Sequence, residues 1–158
     1  MKFLRAEDIT LGLPAANKQA AIEAASIRLC VGDDSCRKAI LQALIAREQL
    51  GSTGIGRGVA LPHARSNALT TPRVALMRLE QAIEFDAADG DPVDLVLAVI
   101  WPAEAMDDFL STLAQFCKML RQPRLLQGLR EAATPEEASK LLCLVAEETA
   151  SPDKSARA

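Results

Sequence analysis

The sequence predicts an α/β fold in which a mixed β-sheet lies between helices on both faces. Residues 94–101 are apolar on both sides of a strand, as expected for a central strand that helices cover on each face. Elsewhere apolar residues recur at helical spacing, most clearly over residues 106–120. Because helical and extended segments mix along one chain, layers of helices on a sheet are the simplest arrangement.

The first third of the chain predicts one strand and two helices. Residues 8–13 are expected to form a strand that ends before Pro14. A helix is predicted over residues 17–31, with Asn17 as its N-cap and Gly32 just beyond its end. A second helix is expected from the capping sequence at 33–35 to Leu50, where Gly51 ends it. The predicted apolar face of the first helix consists of Ala20, Ala21, Ala24, Ile27 and Cys30 or Val31.

The remainder predicts further strands and three helices. Residues 59–61 and 73–79 are expected to form strands, with 83–86 as a separate extended piece. A turn is predicted at 89–92, because glycine tolerates positive φ and proline fixes φ. Besides the helix at 106–120, a short helix is expected over 125–131 after Pro123. Thr134, Pro135 and Glu137 supply an N-cap, an N1 proline and a capping-box glutamate for a last helix.

Composition limits the classes of protein that fit. We expect one domain over residues 1–150 and a disordered polar tail at 151–158. The net charge of -3 and the absence of a Lys/Arg-rich block argue against nucleic-acid binding. The longest apolar run falls short of the roughly 20 residues of a membrane span, and the N-terminus turns acidic where a signal peptide continues apolar. A cytoplasmic protein that does not enter the membrane is expected.

The cysteines predict neither a metal site nor disulfides. No Cys-x-x-Cys spacing occurs, and the chain has a single histidine, so no zinc-type ligand set is present in the sequence. Cys30 and Cys143 lie among apolar residues. We therefore expect buried, reduced thiols at the four positions, which are Cys30, Cys36, Cys117 and Cys143.

Residues 51–65 hold four of the eight glycines and the only histidine, His63. A nucleotide-binding glycine loop needs a strand before it and a helix after it, and the order predicted here is the reverse. A hydrolase triad also lacks support, because no Gly-x-Ser-x-Gly motif is present. A lone histidine is often structural, so the role of His63 has to be inferred from the residues around it.

A histidine that is itself the nucleophile fits these neighbours. A neutral imidazole can attack phosphorus with one nitrogen while the other donates its hydrogen to a fixed acceptor. The resulting negative charge favours guanidinium groups and the backbone N–H groups of a glycine loop. Arg47 comes from the end of the second predicted helix, where a cation is also favoured by the helix dipole. The other candidate phosphoryl-binding residues are Thr53, Gly54, Ile55, Gly56, Arg57, Gly58 and Arg65. If Ala64 lies in a strand, His63 and Arg65 share one face.

Three motifs carry a family resemblance: Arg47-Glu48, the Gly-Ser-Thr-Gly-Ile-Gly sequence of residues 51–56, and Ala-Leu-Pro-His at 60–63. Together they resemble the mannitol/fructose-type IIA components of the bacterial phosphoenolpyruvate-dependent sugar phosphotransferase system. The similarity continues through Phe85-Asp86-Ala87 and covers about residues 8–145. The length, without a fused IIB or membrane domain, is most similar to the nitrogen-related branch.

The resemblance implies the IIA sandwich fold and a phosphotransferase component that carries a phosphoryl group without turning over alone. By position, it makes His63 the phosphoacceptor and Arg47 the site arginine. The implied donor is a small HPr-like phosphocarrier that enzyme I loads from phosphoenolpyruvate, and no cofactor is implied. Regulation of partner proteins by phosphorylation state is the first expectation, and the targets are unnamed. The alternatives are a sugar-specific IIA that passes phosphate to a separate IIB, and a binding regulator that is not phosphorylated.

Two positions depart from the family pattern. The family commonly has a second site histidine directly before the leucine that matches Leu110, and this chain has Phe109 there. A phenyl ring cannot hydrogen-bond a phosphoryl oxygen, so the rate of transfer or the lifetime of phospho-His63 is expected to differ. Arg57 stands where relatives often carry Asn, and a compensating positive charge at that position is a hypothesis.

Overall fold

The computed structural model describes residues 4–105 and 107–150. Those residues form six strands and five α-helices, with a short 3₁₀ turn at Ala6–Asp8. The strands are β1 (Ile9–Leu13), β2 (Gly54–Gly56), β3 (Val59–Ala60), β4 (His63–Ser66), β5 (Arg73–Ile83) and β6 (Val93–Pro102). The helices are α1 (Lys18–Leu29), α2 (Asp34–Gln49), α3 (Phe109–Met119), α4 (Pro123–Glu131) and α5 (Pro135–Ala150). The predicted helix start at Met106 and the predicted tail at 151–158 lie outside the described residues.

The strands form one mixed sheet with β6 at its centre. On one side β6 pairs antiparallel with β5, which pairs parallel with β1. On the other side β6 pairs parallel first with β3 and then with β4, so that these two short strands follow one another along the same edge. β2 adds antiparallel to β3. The predicted central strand at 94–101 is thus confirmed.

Helices cover both faces of this sheet, as predicted. Along β6, the residues Leu95, Leu97, Val99 and Trp101 belong to a core that also contains side chains from α3, α4 and α5. The alternate residues Val96, Ala98 and Ile100 belong to a second core with α1 and α2. Because successive side chains of a strand point to opposite faces, the apolar residues 95–101 of β6 supply both cores.

The predicted helix caps are confirmed at α1 and α2. The side-chain oxygen of Asn17 accepts a hydrogen bond from the Ala20 N–H at 2.9 Å. The Asp33 carboxylate accepts one from the Cys36 N–H at 3.0 Å. Each short polar side chain satisfies a backbone donor that the first helical turn leaves without an intrahelical partner.

The predicted apolar face of α1 is wrong in part: Ala21 and Cys30 are buried as predicted, but the centre of the buried face lies elsewhere. Ile27 is 50% exposed and Val31 is 83% exposed, whereas Ile22, Ala25 and Leu29 are buried. An alanine-rich helix offers two neighbouring apolar stripes of similar width, and the sheet covers the one that contains the larger side chains Ile22 and Leu29. Sequence spacing alone does not select between such stripes.

The structure also corrects two boundaries. Ile83 is the last residue of β5 and pairs with Val93, where the sequence predicted a separate extended piece. The register shifts between Arg78 and Ile83, and this irregularity interrupts the alternation that a regular strand would show. The glycine-rich segment, predicted as a loop, contains the three-residue strand β2.

The expectation of four separate thiols is wrong for two cysteines. Cys30 and Cys36 are joined as a disulfide, with their Cα atoms 6.0 Å apart. Cys30 caps the end of α1 and Cys36 lies in the first turn of α2, so the short connection between the helices brings the two side chains together. Cys117 and Cys143 are free thiols, and both are partly exposed.

No helix within residues 4–105 and 107–150 is both long enough and apolar enough to cross a membrane.

Candidate functional site

His63 is held in one tautomer by the groups at its two ring nitrogens. It is the first residue of β4, and its Nδ1 lies 2.8 Å from the Leu61 carbonyl oxygen. Its Nε2 lies 3.3 Å from Nε of Arg47. Because an arginine can only donate, Nε2 must accept and carries no hydrogen. The hydrogen therefore lies on Nδ1 and is donated to the Leu61 carbonyl, which leaves a lone pair on Nε2.

The backbone around Leu61 fixes that carbonyl. Leu61 N–H donates to the Thr53 carbonyl at 2.9 Å, and the Pro62 carbonyl accepts from Val99 N–H at 2.9 Å. Pro62 separates β3 from β4 and has no N–H to contribute to the sheet. The imidazole thus begins an edge strand whose preceding residues are tied to both the glycine-rich segment and β6.

Arg47 reaches the histidine from the last turn of α2. Besides Nε, its guanidinium donates to the Gly51 carbonyl at 2.9 Å, which lies just beyond the helix end. A cation in the last turn is favoured by the helix dipole and by carbonyls that lack intrahelical partners. The structure therefore brings together the two residues that the sequence singled out first.

The imidazole lies at the edge of an open depression of about 600 Å³. Phe109, the first residue of α3, borders it, with its ring centroid 6.3 Å from that of His63 and 5.8 Å from that of Trp101. Position 109 thus lies beside the imidazole, and its phenyl group offers no hydrogen bond there. The depression is lined by Ala43, Ala46, Arg47, Leu50, His63, Ala64, Arg65, Ala103 and Phe109.

Arg65 lies on the same depression as His63. Ala64 between them is a strand residue that is buried against the α1 and α2 side of the sheet. Alternation along β4 places His63 and Arg65 together on the other face, as predicted for a strand at this position. Arg47 and Arg65 therefore both line the depression that the imidazole borders.

The surroundings lower the pKa of His63 below that of a free imidazole. Burial is the main cause, because it disfavours the charged ring, and the nearby Arg47 charge acts in the same direction. The hydrogen bond to the Leu61 carbonyl and the Glu48 carboxylate oppose this shift. This lowered pKa favours the neutral ring near neutral pH.

We expect His63 to titrate below about 6.5, the usual pKa of a histidine. The imidazole ¹⁵N resonances measure this directly, since the chain contains no other histidine. Arg47→Ala should raise the pKa, because removing a positive charge favours the protonated ring. A wild-type pKa at or above 6.5, or no rise in Arg47→Ala, would contradict the arrangement of the two residues.

The glycine-rich segment is predicted to bind a phosphoryl group through its backbone N–H groups, but some of these groups are bonded within the protein. The Thr53 N–H donates to the Glu48 carboxylate at 3.0 Å, and the Gly54 N–H donates to Ser52 Oγ at 3.1 Å. A Cβ at Gly54 would lie 2.8 Å from Cβ of Ala87, so this glycine permits close packing. Ile55 packs against the core formed with α3, α4 and α5. These N–H groups of Thr53 and Gly54 already have partners within the protein.

The turn at Gly56, Arg57 and Gly58 makes its contacts elsewhere. Arg57 has φ of 59°, its N–H donates to the Asp89 carboxylate at 2.8 Å, and its guanidinium donates to the Arg121 carbonyl at 2.8 Å. A Cβ at Gly58 would lie 2.6 Å from a guanidinium nitrogen of Arg130. The side chain of Arg57 borders a different cavity, beside α4.

Strand register gives the distance between this turn and the histidine. Val59 pairs with Leu95 of β6, whereas His63 pairs with Val99, four residues further along. Four residues of strand span about 13 Å, and Arg57 lies beyond Val59. Contrary to the expectation from sequence, the structure separates Gly56, Arg57 and Gly58 from the imidazole.

We accordingly expect Arg57→Asn to leave the lifetime of a phosphorylated His63 unchanged. The guanidinium is held by the Arg121 carbonyl and borders another cavity. The check is the decay rate of the phosphorylated protein beside wild type in one buffer. A shorter lifetime in Arg57→Asn would restore the compensating role that the sequence suggested.

Glu48 belongs to the Arg47-Glu48 motif, and no role is predicted for it from sequence. Its side chain is 7% exposed and pairs with Lys18 Nζ at 2.7 Å. It also accepts hydrogen bonds from the N–H and hydroxyl of Thr53. A carboxylate at a helix end is usually solvated, so the sequence offered no signal for its burial beyond its place beside Arg47.

The chain is similar to known proteins along most of its length. The family profile described as "Phosphoenolpyruvate-dependent sugar phosphotransferase system, EIIA 2" matches residues 2–143. The nitrogen regulatory protein of Pseudomonas aeruginosa is 41% identical over 97 residues, which span 61% of this chain and 63% of that protein. The fructose-specific EIIA component of Haloferax volcanii is 34% identical over 142 residues, or 89% of this chain and 92% of that one.

A solved structure extends the similarity to the fold. The crystal structure of the nitrogen regulatory protein IIA-Ntr from Neisseria meningitidis matches with a TM-score of 0.84 at 30% identity, over 89% of this chain and 97% of that chain. The predicted fold class and the family resemblance are both confirmed. The chain therefore belongs to the EIIA 2 family of the phosphoenolpyruvate-dependent sugar phosphotransferase system.

Proposed function

We propose that this protein is a phosphohistidine carrier of the nitrogen-related phosphotransferase system. His63 accepts a phosphoryl group from an HPr-like phosphocarrier, and the phosphorylation state of His63 regulates partner proteins. One observation carries the proposal: Arg47 and the Leu61 carbonyl together hold the imidazole with a lone pair on Nε2 beside an open depression. The name "nitrogen regulatory protein" of several relatives supports the regulatory part.

In the proposed step the Nε2 lone pair attacks the phosphorus of a donor phosphohistidine. The new N–P bond forms while the donor N–P bond breaks, and the electron pair of the broken bond returns to the donor ring. That ring carries a proton on its other nitrogen and so leaves as neutral imidazole. His63 keeps its Nδ1 proton and becomes the phosphorylated imidazolium, which the Leu61 carbonyl stabilises. No net proton is gained or lost.

Arg47 supplies the charge that the step needs. Charge in phosphoryl transfer spreads over the three equatorial oxygens, and a positioned guanidinium stabilises it. Its Nε hydrogen points at Nε2 in the unphosphorylated protein, so it is placed to bond a phosphoryl oxygen once phosphorus occupies that position. Arg65, on the same depression, adds positive potential.

A reconstituted assay tests the proposal. The protein is incubated with phosphoenolpyruvate, enzyme I and an HPr-like carrier, and then examined for an acid-labile mass gain of one phosphoryl group at His63. Transfer supports the carrier function. The absence of transfer, in a mixture where a known IIA protein is phosphorylated, would leave the binding regulator that is not phosphorylated.

A sugar-specific IIA that donates to a separate IIB is the second candidate. It is favoured by the fructose-specific relative, which matches 89% of this chain, more than the Pseudomonas nitrogen regulatory protein does. Adding candidate IIB subunits to the phosphorylated protein separates the two. Rapid loss of phosphate from His63 to a IIB would favour this candidate over the regulator.

Phe109→His is expected to lengthen the lifetime of phospho-His63. An imidazole at position 109 would lie beside His63 and could donate an N–H to a phosphoryl oxygen, which the phenyl ring cannot do. Hydrogen bonds to charged groups contribute about 1.5–3 kcal/mol, so a gain of about tenfold or more is expected. The decay of the phosphoprotein at fixed pH measures it.

Phe109→Leu is the matched control, because it also removes the aromatic contact with Trp101 and adds no donor. Equal lifetimes for the histidine and leucine variants would show that position 109 does not reach the phosphoryl group.

A further inference from the structure

Glu48 places a buried carboxylate one residue beyond Arg47. Its side chain is 7% exposed, and its oxygens lie 2.7 Å from Lys18 Nζ and 3.0 Å from the Thr53 backbone nitrogen. The Thr53 hydroxyl donates to it as well. A buried charge is retained only where such partners compensate its desolvation, and here they come from α1 and the glycine-rich segment.

A continuous set of hydrogen bonds leads from Glu48 to the imidazole. Glu48 holds the amide of Thr53, and the carbonyl of Thr53 accepts from Leu61 N–H at 2.9 Å. The carbonyl of Leu61 then accepts from His63 Nδ1 at 2.8 Å. The bond that selects the reactive tautomer therefore rests on a segment that Glu48 anchors.

A second connection runs through the end of α2. The Glu48 carbonyl accepts from Gly51 N–H at 3.2 Å, and the Gly51 carbonyl accepts from the Arg47 guanidinium at 2.9 Å. The Glu48 carboxylate binds the N–H of Thr53, two residues after Gly51, and so holds the short segment whose carbonyl binds Arg47. The Lys18 ammonium balances the Glu48 charge, which leaves the Arg47 charge available to an anion.

We propose that Glu48 is a positioning residue for phosphoryl transfer: by binding Thr53 and Lys18 it holds Arg47 and the Leu61 carbonyl at their places around His63. This inference rests on the proposed function, because it assigns Glu48 to the same reaction. Glu48 itself touches neither His63 nor the transferred group. It acts through the helix end on one side and the glycine-rich segment on the other.

The test uses the full chain and four variants. Glu48→Gln removes the charge and one acceptor oxygen, and Thr53→Val removes the hydroxyl that binds Glu48. Thr53→Ser keeps both Thr53 donors and serves as the conservative variant. Glu80→Gln removes the same charge from an exposed position of β5 and is the matched control. For each protein we would measure the transfer rate, the imidazole ¹⁵N resonances and the thermal unfolding midpoint.

We expect Glu48→Gln to lose about tenfold or more in transfer rate at temperatures where it remains folded, because small misplacements of reacting groups are costly. Its His63 pKa should fall further, since the Glu48 charge that raises it is gone. Thr53→Val should show a smaller loss of rate with shifted imidazole resonances. Thr53→Ser, which restores the hydroxyl, should recover most of the rate that Thr53→Val loses, and Glu80→Gln should match wild type in both rate and spectrum.

Two results would overturn the inference. One is a folded Glu48→Gln variant with the wild-type transfer rate and unchanged imidazole resonances. The other is an equal loss of rate in Glu80→Gln, which would assign the effect to net charge. If the wild-type protein accepts no phosphoryl group, the proposed function fails by itself. The imidazole resonances of Glu48→Gln then decide separately whether Glu48 positions the ring.

Discussion

His63→Ala is expected to accept no phosphoryl group while retaining its fold. The only imidazole of the chain is removed, so no other histidine can take over. His63 is half-buried at the start of an edge strand. Its imidazole Nδ1 donates a hydrogen bond to the Leu61 carbonyl at 2.8 Å. Losing a hydrogen bond of this kind costs about 1 kcal/mol of unfolding free energy.

The measurement pairs mass spectrometry after incubation with the phosphorylated carrier with a thermal unfolding scan. Acid-labile phosphate on His63→Ala would place the acceptor at another residue. A thermal transition that collapses in this variant would show that His63 is chiefly structural. The expected result is a nearly unchanged transition with complete loss of transfer.

Arg47→Ala is expected to slow transfer strongly without abolishing it. The guanidinium lies 3.3 Å from the reactive nitrogen, and no hydrogen-bond donor at position 47 replaces it in the variant. By analogy with lost oxyanion donors, the expected cost is about 2–4 kcal/mol in the activation free energy. Initial rates at a fixed concentration of phosphorylated carrier measure this cost.

Two further variants identify the cause of that loss. Arg47→Lys keeps the charge and loses the planar fork that bonds both His63 and the Gly51 carbonyl, so it should recover only part of the rate. Arg124→Ala removes an arginine whose side chain is 64% exposed and pairs with Glu148, and it controls for net charge. A full rate in Arg47→Lys would reduce the role of Arg47 to that of a point charge.

Short sequence patterns were sufficient to predict the central strand and the starts of the first two helices. The apolar residues on both faces of the segment 94–101 predicted the central strand, because a strand that helices cover on both faces has no solvent-facing side. Asn17 and Asp33 marked helix starts, because capping depends on residues three positions apart. The pairing of His63 with Arg47 also came from sequence, through a glycine-rich motif between the end of a helix and a short strand.

Predictions from the sequence failed where a property depends on how two elements of the fold pack together. The α1 stripe containing Ile27 looked as apolar as the one that is buried, and the sheet made the choice. Cys30 and Cys36 gave no pairing signal, because their proximity depends on how α1 and α2 meet. Each of these properties belongs to a pair of elements, which a periodic pattern in one segment cannot describe.

The candidate site also has features that the sequence predicted and features that only the tertiary structure decided. By itself the sequence indicated the family, which the comparisons confirm, and predicted His63 as phosphoacceptor and Arg47 as its arginine, because all three predictions rest on short contiguous motifs. Only the tertiary structure decided that Arg57 lies away from His63, since the distance follows from the register of β3 and β4 along β6. It also decided the tautomer of His63 and the burial of the Glu48 side chain. Hydrogen bonds between residues from separate elements set both, and these distances exist only once the chain is folded.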